Sequence, residues 1–212
     1  MADAYGFLRL RVAARDAVEL ERRLLGETLP AWRDAGLACW GLWRGLFGIA
    51  SNEMLVMTGD GTAGSAVDAA RPALPGDVAV VDSAALRATA RPASAEPLTE
   101  PGLYVFRFFE VRPQDCDELV AVLRPQLVAL SREAWQTFET ATDYASRPVG
   151  LFRPDGEAGR PWTRMLLVTW YDGFASWETS RTPAAAARDN FRRRHALTGG
   201  TVAYAARLVP PG

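Results

Sequence analysis

His195 is the only histidine in the 212-residue chain, and it closes a run of three arginines, Arg192, Arg193 and Arg194. Near a helix C-terminus such a run meets the negative end of the helix dipole, which favours each exposed cation by about 0.3–1 kcal/mol. A solvated basic helix end is the first expectation for Arg192, Arg193 and Arg194, and an anion-binding site is the second. A zinc site needs three or four protein ligands, and a single histidine makes a metal site unexpected. Haem needs one axial histidine, so His195 is the cofactor-binding candidate if haem is bound. No haem-attachment motif accompanies it, and otherwise no cofactor is expected.

Hydrolytic chemistry finds little support. A Ser-His-Asp arrangement would have to use His195 as its base, and no Gly-x-Ser-x-Gly elbow presents a serine. Gly59-Asp60-Gly61 with Gly64 lacks the lysine and the spacing of a phosphate loop, and reads as turn and spacer. No catalytic residue is assigned. The aromatic residues Trp40, Trp43, Tyr104, Phe106, Trp135, Trp170 and Tyr204 all fall on predicted strands. They serve as core packing or as the wall of a pocket for a flat or apolar molecule, because the polar atoms of Trp and Tyr suit cavity walls. Arg9, Arg11 and Arg107 are strand arginines. Burying one is costly unless it is paired or given an anionic ligand, so outward or edge placement is expected.

Composition narrows the classes. The 24 basic residues, all arginine, nearly balance 25 acidic ones, which argues against nucleic acid as a partner, since that needs a basic face. Cys39 and Cys116 lie far apart in no metal-like or redox-like spacing, and are expected as buried thiols in a reducing compartment. The start, MADAYGFLRLRV, lacks the pattern of a secretory signal. No apolar run approaches the roughly 20 residues of a membrane helix. A soluble cytoplasmic protein without membrane insertion is therefore expected.

The elements that must position these residues come in two similar series. Met54–Asp60 (MLVMTGD) returns as Leu166–Asp172 (LLVTWYD), each an apolar run ended by a turn and an acid. In the first series Tyr5–Val12 alternates as a strand does. Arg15–Ala35 carries an apolar stripe near the helical period, with Pro30 predicted to kink or break it. Leu37–Phe47 is a strand in which Trp40 and Trp43 share a face only if a bulge intervenes at Gly41 or Gly45. Met54–Thr58 is the next strand, Ser65–Ala70 a short helix and Leu86–Pro92 a fourth strand. In the second series come a strand at Leu103–Val111 and a helix after Pro113 containing Pro125. Strands follow at Trp135–Ala141, Thr163–Trp170 and Thr201–Val209, the last preceded by a helix over Ala184–Ala196 that the Gly199-Gly200 pair ends. The interval to the closing acid is 16 residues longer in the second series (102–172) than in the first (6–60). The surplus matches residues 144–161, whose three prolines and three glycines predict a long surface loop or flap.

Each series reads β-α-β-β-α-β, the ferredoxin-like order. Its sheet has helices on one face only, and the bare face carries large aromatic groups. Burying about 1,000 Å² of it contributes on the order of 25 kcal/mol before entropic costs. The expected fold is therefore α+β: two tandem ferredoxin-like units whose antiparallel sheets pack face to face as an α/β barrel. The expected domains are residues 1–92, a 93–101 linker and residues 102–212 with the 144–161 insertion. A cavity between the sheets would be the ligand site.

Several stretches carry a resemblance: the opening aromatic strand, the Leu-Pro element Thr28-Leu29-Pro30-Ala31-Trp32 with Ala35-Gly36, the Trp-containing strand after it, and Leu166–Asp172 followed by Phe174–Trp177. In these the chain resembles the dimeric α/β-barrel superfamily, and within it the NIPSNAP-like proteins, as a tandem pair. The resemblance departs after Asp60, where an aromatic-rich helix is replaced by Gly, Ala and Ser. It implies monooxygenases without cofactor, haem-binding dismutases, muconolactone-type isomerases or dye-decolourising peroxidases as relatives, and so does not select a reaction. The leading expectation is a NIPSNAP-like protein binding a small apolar or aromatic molecule between the sheets. The alternative is a cofactor-independent or haem-dependent oxidoreductase using the same cavity. A homodimer is compatible with either.

Overall fold

Alternation along Ala4–Arg11 (β1) divides the strand as its sequence predicts: Leu8 and Leu10 join a core with helical residues, while Tyr5 and Phe7 lie on the opposite face, and all four are buried. The computed structural model describes residues 4–60, 66–128, 145–156, 160–182 and 188–210. They divide into two units. The first comprises Met1–Ala88, Ala93–Pro101 and Tyr204–Gly212, and the second Thr89–Pro92 and Gly102–Ala203. No described helix is long and apolar enough to cross a membrane.

In the first unit, β1 leads to α1, built from Val18–Arg23, a π-helical segment Leu24–Thr28, and Leu29–Asp34. Pro30 neither breaks nor ends it. The Leu29 N–H donates to the Leu24 carbonyl, one residue further back than an α-helical bond reaches. This wider turn accommodates a proline ring that would otherwise press on the preceding turn. Next come β2 (Leu37–Phe47), β3 (Glu53–Asp60), α2 (Ala66–Ala70) and β4 (Ala79–Arg91). β3 lies between β1 and β2, and β4 lies on the other side of β1, all antiparallel. The order across the sheet is thus fourth, first, third, second. Leu20, Leu24 and Trp32 of α1 pack on Leu8, Leu10, Met54 and Val56. Each such fully buried side chain contributes about 1.5–3 kcal/mol. The Trp32 Nε1–H donates to the Ala70 carbonyl at 2.9 Å and ties α1 to α2.

β2 carries the bulge its two tryptophans require. The pairing with β3 slips between Cys39 and Gly41, and the pairing with the last strand, β8 (Thr198–Leu208), slips between Gly45 and Phe47. The extra residue turns Trp40 and Trp43 to the same side, their rings 6.1 Å apart.

The second unit begins with β5 (Leu103–Val111) and α3 (Cys116–Val128), followed by β6 (Ser146–Pro154) and β7 (Thr163–Tyr171). Then come α4 (Phe174–Thr179) and α5 (Arg188–Leu197), which leads into β8. β7 pairs antiparallel with β5 and β6, and β8 neighbours β5, so the order fourth, first, third, second recurs. Phe109, Val111, Leu151, Met165 and Leu167 form a core with Cys116, Leu119 and Leu123 of α3.

The structure corrects two expectations. Residues 144–161 are not a surface loop throughout, because Ser146–Pro154 is β6, with Val149, Leu151 and Phe152 buried. The register slips between Pro148 and Gly150, which places the proline where the ladder is already interrupted. Nor does the Gly199-Gly200 pair end a helix. Both residues lie in β8, where the Gly200 N–H donates to Glu110 Oε2 at 3.0 Å. The strand expected at Trp135–Ala141 lies outside the described residues, as does the start of the helix expected over 184–196.

Candidate functional site

The aromatic candidates do not converge on one wall. In the first unit Trp40 and Trp43 form a buried cluster with Tyr5, whose ring meets Trp40 edge-on at 5.9 Å. Tyr204 lies under Arg9, the guanidinium carbon 5.0 Å from the ring centroid. In the second unit Tyr104 is paired across the ladder with Trp170, and Phe106 with Val168. Arg147 stacks on Trp170 at 4.8 Å. Tyr104 and Phe106 are fully buried, so the sheet face turned away from α3 is not left to water. Trp135 lies outside the described residues.

Edge or outward placement is the sequence expectation for the strand arginines, and two of them depart from it. Arg9 is half-buried and shares the carboxylate of Glu53 with Arg11. Arg9 Nε reaches Oε2 and Arg11 Nε reaches Oε1, both at 2.6 Å. The Glu53 carboxylate is fully buried and also accepts the Ala50 N–H at 3.1 Å. Burial alone would raise its pKa, but the hydrogen bonds from Arg11, Arg9 and Ala50 outweigh it and hold the group below the usual carboxylate value.

Arg107 is the other exception. Register places Val105, Arg107, Phe109 and Val111 on the face shared with Met165, Leu167, Thr169 and Tyr171, and Phe109, Met165 and Leu167 pack on α3. Arg107 therefore points to the helix side of the sheet. Its Nη1 donates to Thr169 Oγ1 at 3.3 Å and its Nη2 to Tyr171 Oη at 3.1 Å. Ser180 Oγ, just after α4, lies 3.5 Å from Tyr171 Oη and 2.6 Å from the Trp177 carbonyl. With the Arg107 donor directed at its oxygen, the Tyr171 hydroxyl proton is available to a further acceptor. On the same face of the first unit, the described residues around Gly6 are apolar apart from Thr58, whose hydroxyl donates to the Ala66 carbonyl. There Gly6 faces α2 so closely that a Cβ would stand 3.0 Å from backbone atoms of Ala66 and Val67.

The basic run at 192–194 divides by helix geometry. Arg192 and Arg193 are exposed and pair with Asp189 and Glu118 respectively. Arg194 instead turns inward, 5.5 Å from the Phe109 ring and 4.5 Å from the Phe191 ring. Burial, reinforced by the positive charge of Arg107 and opposed by Tyr171, pushes its pKa down to about 10. His195, one position further round the helix, is exposed. Among the described residues no group of three or more His, Cys, Asp or Glu could hold a metal ion.

Arg107, Thr169, Tyr171 and Ser180 thus form one hydrogen-bonded polar cluster in the second unit, and Arg194 turns in from α5 against Phe109, which shares the face of β5 with Arg107. The sequence singles out Arg107 as a strand arginine and Arg194 as part of a basic run, with nothing to join them. It does not single out Thr169, Tyr171 or Ser180, and only the alternation along Thr163–Tyr171 points towards the first two.

No family model matches the chain, and no curated protein matches it. Solved structures do. An anthrone oxidase-like protein aligns over 98% of this chain and 92% of its own, at 17% identity and a TM-score of 0.61. A haem-binding protein from Thermus thermophilus aligns over 100% and 93%, at 12% identity and 0.54. A ferredoxin fold protein from Listeria monocytogenes 4b F2365, related to antibiotic biosynthesis monooxygenases, aligns over 98% and 95%, at 10% identity and 0.51. At these identities the shared property is the fold, of ferredoxin-like α+β type.

Proposed function

We propose that this chain is a monooxygenase-like oxidoreductase that takes a small aromatic molecule against the helix face of its second unit. The observation that carries this reading is the polar cluster on that face, Arg107 hydrogen-bonded to Thr169 and Tyr171 within an apolar layer. Core packing gives no reason to hold a guanidinium there, whereas a ligand with one polar edge does. The anthrone oxidase-like neighbour suggests the kind of substrate. An aromatic ketone with an acidic methylene loses a proton to give a ring-conjugated oxyanion. Dioxygen can then convert that carbon to a carbonyl with release of water, the substrate supplying all four electrons. Arg107 and the Tyr171 hydroxyl would stabilise the oxyanion as it forms.

In the same reading the two units are tandem copies of one βαββαβ design, as the repeated strand order and the NIPSNAP-like resemblance suggest. Among the described residues, an arginine on the helix face is a feature of the second copy. A haem-dependent version is less well supported, since His195 is exposed.

Oxygen uptake with 1,8-dihydroxyanthrone as substrate tests the proposal. Uptake well above the spontaneous rate, with the corresponding quinone as product, is expected. A rate equal to that of buffer would overturn it.

A further inference from the structure

Among the described residues, no neighbour compensates the charge on this face. Arg107 spends its described hydrogen bonds on two neutral hydroxyls, Thr169 and Tyr171. Arg194 stacks on two phenyl rings, Phe109 and Phe191. Phe109 is two residues from Arg107 on the same face of β5, so the two guanidinium groups face one region from opposite elements, the sheet and α5. Among the described residues no carboxylate forms an ion pair with either, in contrast to Arg9 and Arg11, which share Glu53. Two like charges in an apolar layer cost free energy that a bound anion would remove.

We infer that Arg107 and Arg194 together form the binding site for a monoanionic group, a carboxylate or phenolate, carried on the aromatic ring of the ligand. A guanidinium offers a planar fork of donors suited to such oxygens. Each guanidinium already lies over a ring, Arg107 over Tyr171 and Arg194 over Phe191, so the anion's own ring would meet aromatic neighbours there. The inference rests on the proposed small-molecule site and names the charge of its ligand.

The test is calorimetric titration at pH 7 with salicylate and with its neutral isostere salicylamide. Wild-type protein should bind salicylate at least tenfold more tightly, and Arg194→Gln should remove most of that preference. Arg107→Lys, which keeps the charge and loses the fork, should weaken salicylate and leave salicylamide unchanged. Equal affinity for the two compounds, or no salicylate binding, would sink the inference without needing any variant. So would inorganic phosphate binding as tightly as salicylate, because the ring would then contribute nothing. Equal affinity for salicylate and salicylamide in wild-type protein that still consumes oxygen with 1,8-dihydroxyanthrone would leave the oxidoreductase reading standing while this one fails. Salicylate discrimination without any oxygen uptake would do the reverse.

Discussion

Arg107 and Tyr171 lie 64 residues apart in sequence, yet Arg107 Nη2 donates to Tyr171 Oη at 3.1 Å across the β5–β7 ladder. The guanidinium carbon is 6.0 Å from the same ring, so the contact combines a hydrogen bond with stacking. Tyr171→Phe keeps the ring and removes only the hydroxyl, while Arg107→Met removes the charge but retains similar bulk. If this pair stabilises a developing oxyanion, Arg107→Met should lower kcat by about 10²–10³ with a smaller change in KM. Tyr171→Phe should cause a smaller loss of the same kind. Steady-state oxygen consumption with 1,8-dihydroxyanthrone decides this, and wild-type kcat in Arg107→Met would count against the site.

Glu53 should be a strong point of stability in the first unit. Its buried carboxylate takes both Arg9 and Arg11. Glu53→Gln leaves one half-buried guanidinium short of its charge partner. We expect a loss of about 2–4 kcal/mol, below the upper end for fully buried pairs because Arg11 is half exposed. Urea denaturation at pH 7 measures it.

The same carboxylate makes stability depend on pH. Its folded pKa is held below the ordinary value of 4.5, so the unfolded chain takes up this proton first as pH falls. The stabilisation is complete above the unfolded value and is lost as pH drops through the folded one. Wild-type stability should therefore decline below about pH 4.5 more steeply than that of Glu53→Gln. Parallel slopes in the two proteins would show that Glu53 contributes nothing to acid sensitivity.

Gly41 has no room for a side chain. A Cβ there would come within 2.2 Å of the Trp43 ring. Gly41→Ala must displace a fully buried tryptophan packed on Trp40, and should cost about 1–3 kcal/mol. Near-UV circular dichroism should report the altered tryptophan environment, and a wild-type spectrum would contradict the packing.

Cys39 should be inert in the folded protein. Burial pushes its thiol up to about 12, with only partial relief from the Gly41 backbone hydrogen bond. At pH 8 almost none of it is thiolate, the reactive form. Its modification by iodoacetamide, followed by peptide mass spectrometry, should be at least tenfold slower in native than in guanidinium-unfolded protein.

Much of the scaffold was legible because the responsible physics is local. Period-two alternation in Tyr5–Val12 and Leu103–Val111 reports which side chains share a face whatever the strand packs against. The spacing of Trp40 and Trp43 demanded an extra residue, and Gly41 marks where it went. Where two local signals conflicted, the reading failed. Pro148 and Gly150 predicted a loop, but the apolar run through Phe152 had a partner strand in β7, and pairing outweighed the two punctuating residues. At Pro30, where a kink or a break was the expectation, the helix is interrupted by a π-helical turn and then continues.

The site was decided by distance in sequence. Nothing near Arg107 tells whether its face meets α3 or open water, and nothing near Arg194 tells which of three consecutive arginines turns inward. Those outcomes follow from the β5–β7 register and from the angle at which α5 lies against Phe109. Residue types alone set the elements and their apolar stripes. Only the packing of Tyr171 and Arg194, 64 and 87 residues beyond Arg107, against β5 put two cations and a tyrosine hydroxyl on one face of the sheet, because the cost of a buried charge depends on what surrounds it.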